Sequence, residues 1–143
     1  MGRAYFAIAE IARHCGHSQT AKRQIERAID LLDEAPRERC AAQFVRAASE
    51  LSLGNTKQAR IIAEQAMSES ETRGWQVCCG IRSYVTLAMA QQACGDHEAA
   101  RKTAAAAQAV IARVASGIPD SQARTRYLTE PAIHQQIEVL ACT

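Results

Sequence analysis

The chain has little of what builds sheets and little of what stops helices. Only six aromatics and three prolines occur in 143 residues, and Leu, Ile, Val and Phe together number 26, about 18%. A share that low accompanies disorder when net charge is high. Here 17 basic residues against 15 acidic ones leave +2, so that reading is excluded. The β-branched and aromatic residues are too few to fill the two inner faces of a β-sandwich. No apolar run approaches the roughly 18 residues of a membrane span; the longest, Ala104–Ala112, is interrupted by Gln108. The opening Met1-Gly2-Arg3-Ala4-Tyr5-Phe6 lacks the apolar core and cleavage site of a secretory signal. Phe6 stands where a myristoylation motif needs Ser or Thr. A soluble, cytoplasmic protein without membrane contact is expected.

Cysteine is present six times, at positions 15, 40, 78, 79, 94 and 142, but never as Cys-x-x-Cys. An even count suggests disulfides mainly in small secreted, loop-rich chains. These cysteines lie within helical patterns and are expected as buried, reduced, small apolar side chains. His14, Cys15 and His17 are clustered, yet zinc needs a fourth ligand and a fixed loop, and neither is visible. No metal or other cofactor is expected.

What the chain does have is alanine, 29 residues of it. Alanine is the best helix former and lets helices approach closely, so an all-α fold is expected. Three segments align on one glycine each: Gly16-His17-Ser18-Gln19-Thr20-Ala21, Gly54-Asn55-Thr56-Lys57-Gln58-Ala59 and Gly95-Asp96-His97-Glu98-Ala99-Ala100. Alanine recurs seven residues before each glycine (Ala9, Ala47, Ala88), five after it (Ala21, Ala59, Ala100) and further on (Ala28, Ala66, Ala107). The glycines are 38 and 41 residues apart. A glycine in a left-handed conformation ends one helix. His17-Ser18, Asn55-Thr56 and Asp96 then offer N-cap side chains for the next. Two antiparallel helices joined so tightly must cross closely, and the alanines mark where they touch.

These positions resemble the tetratricopeptide repeat, whose consensus is small at its eighth, twentieth and twenty-seventh positions. Ala9, Ala21 and Ala28 match in the first copy, Ala47, Ala59 and Ala66 in the second, Ala88, Ala100 and Ala107 in the third. The consensus Trp and Tyr are replaced by Tyr5, Gln43 and Tyr84 and by Ala12, Glu50 and Gln91. A period near 40 exceeds the usual 34. In that it resembles the repeats of large bacterial signalling ATPases of the maltose-regulon-activator type. The tail, with Pro119-Asp120, Tyr127-Leu128 and Pro131, is similar to the segment that follows such repeats in those regulators and in cyclase fusions. The resemblance implies a right-handed α-solenoid of three helix pairs over 1–116 and a two-helix cap over 117–143.

Helices are expected over about 3–15, 18–34, 37–53, 56–72, 75–94 and 97–116, then a short one to about 129 and a last one from Pro131. In the last, Ile133, Ile137 and Leu140 share a face that closes the final repeat, while Gln135 and Gln136 meet water. The first helix lacks a preceding partner to cover Ile8 and Ile11, so self-association through it is expected.

No catalytic pattern is present: no phosphate-binding glycine loop, Gly-x-Ser-x-Gly or His-Glu-x-x-His. Asp30, Asp33 and Glu34 read as a solvated turn, and His134 as a surface residue. Arginine outnumbers lysine fourteen to three, but without a basic stripe interleaved with aromatics, and nucleic acid is not an expected partner. What remains is a concave surface. The resemblance places there Arg3, Phe6, Glu10, Arg13 and His14 of the first copy. It adds Ala41, Phe44, Ala48, Leu51 and Ser52 of the second, and Arg82, Val85, Met89, Gln92 and Ala93 of the third. It implies a non-catalytic scaffold that takes a partner helix or peptide in this groove, or else a regulatory module that senses a peptide or metabolite. Phe6, Phe44 and Met89 are the expected apolar anchors, and Arg3, Arg13 and Arg82 the rim.

Overall fold

The computed structural model describes residues 1–75, 80–129 and 131–142. Among these residues there are eight α-helices and no strand: α1 (Gly2–His14), α2 (Ser18–Asp30), α3 (Pro36–Ser52), α4 (Thr56–Thr72), α5 (Ile81–Ala93), α6 (His97–Ser116), α7 (Ser121–Thr129) and α8 (Ala132–Cys142). The all-α expectation holds. Contacts divide the chain into two compact units, Met1–Cys79 and Gly80–Thr143. The expected boundary at 116/117 therefore lies inside the second unit, where α7 packs on α6, and α8 packs on α5, α6 and α7.

Three hairpins, α1–α2, α3–α4 and α5–α6, are built in the same way. At each joint the glycine is left-handed, with φ of 78°, 82° and 82° at Gly16, Gly54 and Gly95. The residue after it donates its backbone N–H to a carbonyl five residues back: His17 to Ala12 at 2.8 Å, Asn55 to Glu50 at 2.9 Å, Asp96 to Gln91 at 3.0 Å. The glycine N–H itself reaches the carbonyl three residues back in each case. Together these satisfy the carbonyls that a helix end leaves open. All nine repeat alanines are buried at 3% exposure or less. Small side chains at these positions let the paired backbones approach without a gap to fill.

The capping expectation is met at one joint. Asp96 accepts from the Ala99 N–H at 3.1 Å, but His17 and Asn55 make no side-chain cap. Asn55 is instead drawn to Glu50, to which its Nδ2 donates at 2.7 Å.

Two helices are shorter than expected. α2 stops at Asp30 because Leu31 and Leu32 turn the chain, Leu32 is buried, and Pro36 holds Ala35 out of the helical region at φ −126°, ψ 69°. α5 starts at Ile81 and not at 75, since Gly80 sits at φ 57°, ψ −144°. Residues 76–79, and with them Cys78 and Cys79, lie outside the described residues.

In the first unit α2 packs on α3 as well as on α1. Ile25 and Ala28 of α2 and Leu32 just beyond it form one apolar cluster with Ala9, Ala42 and Val45. In the second unit Ile137 and Leu140 of α8 join Val85, Ala88, Ala104, Ala107 and Ile111, with Ile133 packed against them. Gln135 and Gln136 face solvent, as expected. His134 does not: it is 5% exposed, with its ring edge-on to Tyr127 at 4.9 Å between centroids. The helical register that buries Ile137 also carries the residue three positions earlier inward.

The cysteines divide. Cys40 is buried and donates its thiol to the Ala66 carbonyl at 3.3 Å, Cys94 is half-buried, and Cys15 and Cys142 are exposed. Those four are free thiols. Burial of all six is corrected at Cys15, the C-cap residue of α1, and at Cys142, the last residue of α8, both of which are exposed.

Candidate partner-binding surface

The fifteen expected groove residues fall on the first helices of the hairpins, five each on α1, α3 and α5. In the first unit α1 and α3 are in contact. Arg3 donates to Glu38 at 2.6 Å across these two helices, with the arginine side chain 81% exposed. The Glu38 carboxyl lies below its usual range because its own backbone N–H and then Arg3 favour the charged form. Phe6 is half-buried against the apolar cluster, and Leu51 is half-buried on α3. Glu10 accepts from Arg13 at 3.4 Å, and His14 lies 3.2 Å from Arg13 and 4.0 Å from Glu10. The rim charges of α1 are thus engaged within their own unit.

Two of the expected groove residues are core. Phe44 is 3% exposed and Val85 6%, so both pack inside their units and present almost no surface to a partner. In the second unit Arg82 and Met89 are exposed, the latter at 41%, and Gln92 is half-buried. The accessible residues are therefore Arg3, Phe6, Glu10, Arg13 and Leu51 in one unit and Arg82, Met89 and Gln92 in the other. Glu38 is an addition. Its signal in the sequence is an acidic residue in the first turn of α3, a position that favours negative charge and lies next to a basic first helix.

A second polar arrangement was not read from the sequence. Lys22 of α2 meets Glu50 of α3 at 2.8 Å, and Asn55 donates to the other carboxylate oxygen. Glu50 is 2% exposed. Burial works against its charged form, but the hydrogen bonds from Lys22 and Asn55 outweigh that and hold the carboxyl below its usual range. The hydrogen bond to Glu50 likewise raises Lys22 against the opposing effect of desolvation. Gln91, at the equivalent position of α5, is also buried and accepts from Thr103 at 2.7 Å. Each of these pairs ties two neighbouring helices, and partnered buried polar groups fix register between them. No group of three or more His, Cys, Asp or Glu with metal-holding geometry occurs among the described residues, and no helix there is long and apolar enough to cross a membrane.

Comparison with protein-family models, curated proteins and solved structures finds no match to the chain.

Proposed function

We propose that the chain is a tetratricopeptide-type helical-repeat module that holds a protein or peptide partner on the exposed face of its first helices and performs no chemistry of its own. One observation carries this reading. The same three alanines and one glycine recur in register in all three hairpins, buried or left-handed in every copy. Within each unit a hairpin of this kind presents the exposed face of its first helix, and such a face suits an extended or helical segment. The ligand expected from the side chains is an apolar anchor with acidic neighbours. In the first unit the half-buried Phe6 and Leu51 offer apolar contact; in the second Met89 does, with Arg82 an exposed basic side chain on the same helix.

The test is selection from a displayed peptide library with the whole chain as bait, followed by affinity measurement on variants. Met89→Asp, Leu51→Asp and Arg82→Glu should each weaken a selected peptide by about tenfold or more, since interface energy concentrates in few anchors. Arg101→Glu, on the exposed side of α6, should change it by less than about twofold. Loss with Arg101→Glu and retention with the other three would refute the assignment.

A further inference from the structure

In the second unit α7 and α8 are held in different ways. None of the nine residues of α7 is buried, and its large apolar side chain, Leu128, is 41% exposed. A helix that removes so little apolar surface from water gains little by docking. Nine residues are also too few for a helix to persist alone, since about 12–15 are needed even in favourable sequences. Three contacts fix α7. Asp120 Oδ1 accepts from the Ala123 N–H at 2.7 Å and caps the first turn. Arg124 donates from Nε and Nη2 to the Ile118 carbonyl, at 3.1 and 2.7 Å, which ties the helix back to the segment just past α6. Nearer the other end, the half-buried Tyr127 packs against the apolar cluster and sets its ring edge-on to His134 of α8.

α8 is anchored in the core instead, by Ile137 at 0% and Leu140 at 6% exposure. Its first turn carries His134, the one buried histidine of four. The Nδ1 of that ring is buried and has no hydrogen-bond partner among the described residues. A buried ring nitrogen left without a partner costs free energy that contact with water would recover. His134 therefore opposes the closed position of α7, while Tyr127 and Arg124 favour it. We propose that α7 is a strap that opens as one piece while α8 stays docked. Its opening bares the His134 imidazole together with the part of the apolar cluster that Tyr127 covers. Segments that move in binding are drawn from the least stable parts of a fold, and α7 has the few buried contacts that mark such a part.

Native-state amide exchange on the whole chain tests this, together with diethyl pyrocarbonate modification of the histidines read by mass spectrometry. Amides 125–129 should exchange as a group, well before those of α8. His134 should be modified far more slowly than the exposed His14, His17 and His97, at a rate that follows the exchange of α7. Tyr127→Ala and Arg124→Gln should each raise the His134 rate by more than about fivefold and leave the protection of α8 unchanged. Arg124→Gln leaves the Tyr127 ring in place, so a rise there comes from opening and not from a lost cover. Gln122→Ala, at an exposed site on α7, should raise the rate by less than about twofold. Exchange of α7 and α8 at one common rate would overturn the strap, as would a His134 rate that Arg124→Gln does not move.

Discussion

The two units close the same hairpin with different chemistry. In the first, α2 meets α3 through an apolar cluster and a buried ion pair, Lys22–Glu50, anchored by Asn55. In the second, α8 covers α5 and α6 with Ile137 and Leu140, and the position equivalent to Glu50 is the neutral Gln91, paired within its own hairpin to Thr103. Glu50 and Gln91 each stand four residues before the joint glycine, and the backbone carbonyl of each receives the same N–H bond. The repeat fixes the backbone and the small residues, while the large side chains at each interface are free to differ. Polar partners at one interface specify which helix lies beside which; at the other an apolar face covers the hairpin.

That contrast can be broken at either core. Ile25→Ala and Ile137→Ala remove fully buried side chains from the two clusters, and each should cost about 2–5 kcal/mol in denaturant unfolding. Amide exchange should show the first loosening α1–α3 and the second α5, α6 and α8. A next effect comes from swapping the chemistries. Gln91→Glu buries a carboxylate whose hydrogen-bond partner is the Thr103 hydroxyl and not an ammonium, and should cost about 2 kcal/mol or more at neutral pH. Gly95→Ala should cost about 1–2 kcal/mol by thermal unfolding, because φ of 82° is costly for a residue with a Cβ.

The smallest effect is in the pH profile. The Glu50 carboxyl is held below the usual 4.5, so its contribution is full above that pH and is lost as pH falls through the depressed value. Stability measured from pH 6 down to about 2 should therefore fall less steeply in Glu50→Gln than in the wild type. For the exposed pair Lys102–Glu98, where the hydrogen bond from Lys102 lowers the Glu98 carboxyl in solvent-screened surroundings, the profile should change only slightly on Lys102→Ala.

The repeat was legible because it depends on residues with one structural use. A left-handed glycine and an alanine at a close crossing have few substitutes, so their spacing reveals hairpin, joint and contact line together. Depth was less legible. Register gives the direction of a side chain around its helix but not how far the neighbouring helices reach over it. Phe44 and Val85 were assigned to a groove for that reason, and His134 to the surface. Polar pairs between helices were invisible as well: Lys22 and Glu50 are 28 residues apart, and nothing local marks either one. Helix ends were misjudged where the decisive residue was not a repeat glycine, as at Leu31 and Gly80.

The proposed binding of a partner on the first helices has one direct test. Backbone amide shift mapping during titration with a selected peptide tests it most directly. Perturbations should gather on the first helices of a unit that binds, around Arg3, Phe6 and Leu51 in the first or Arg82, Met89 and Gln92 in the second. A saturable set confined to the exposed faces of α2, α4 and α6 would contradict the account.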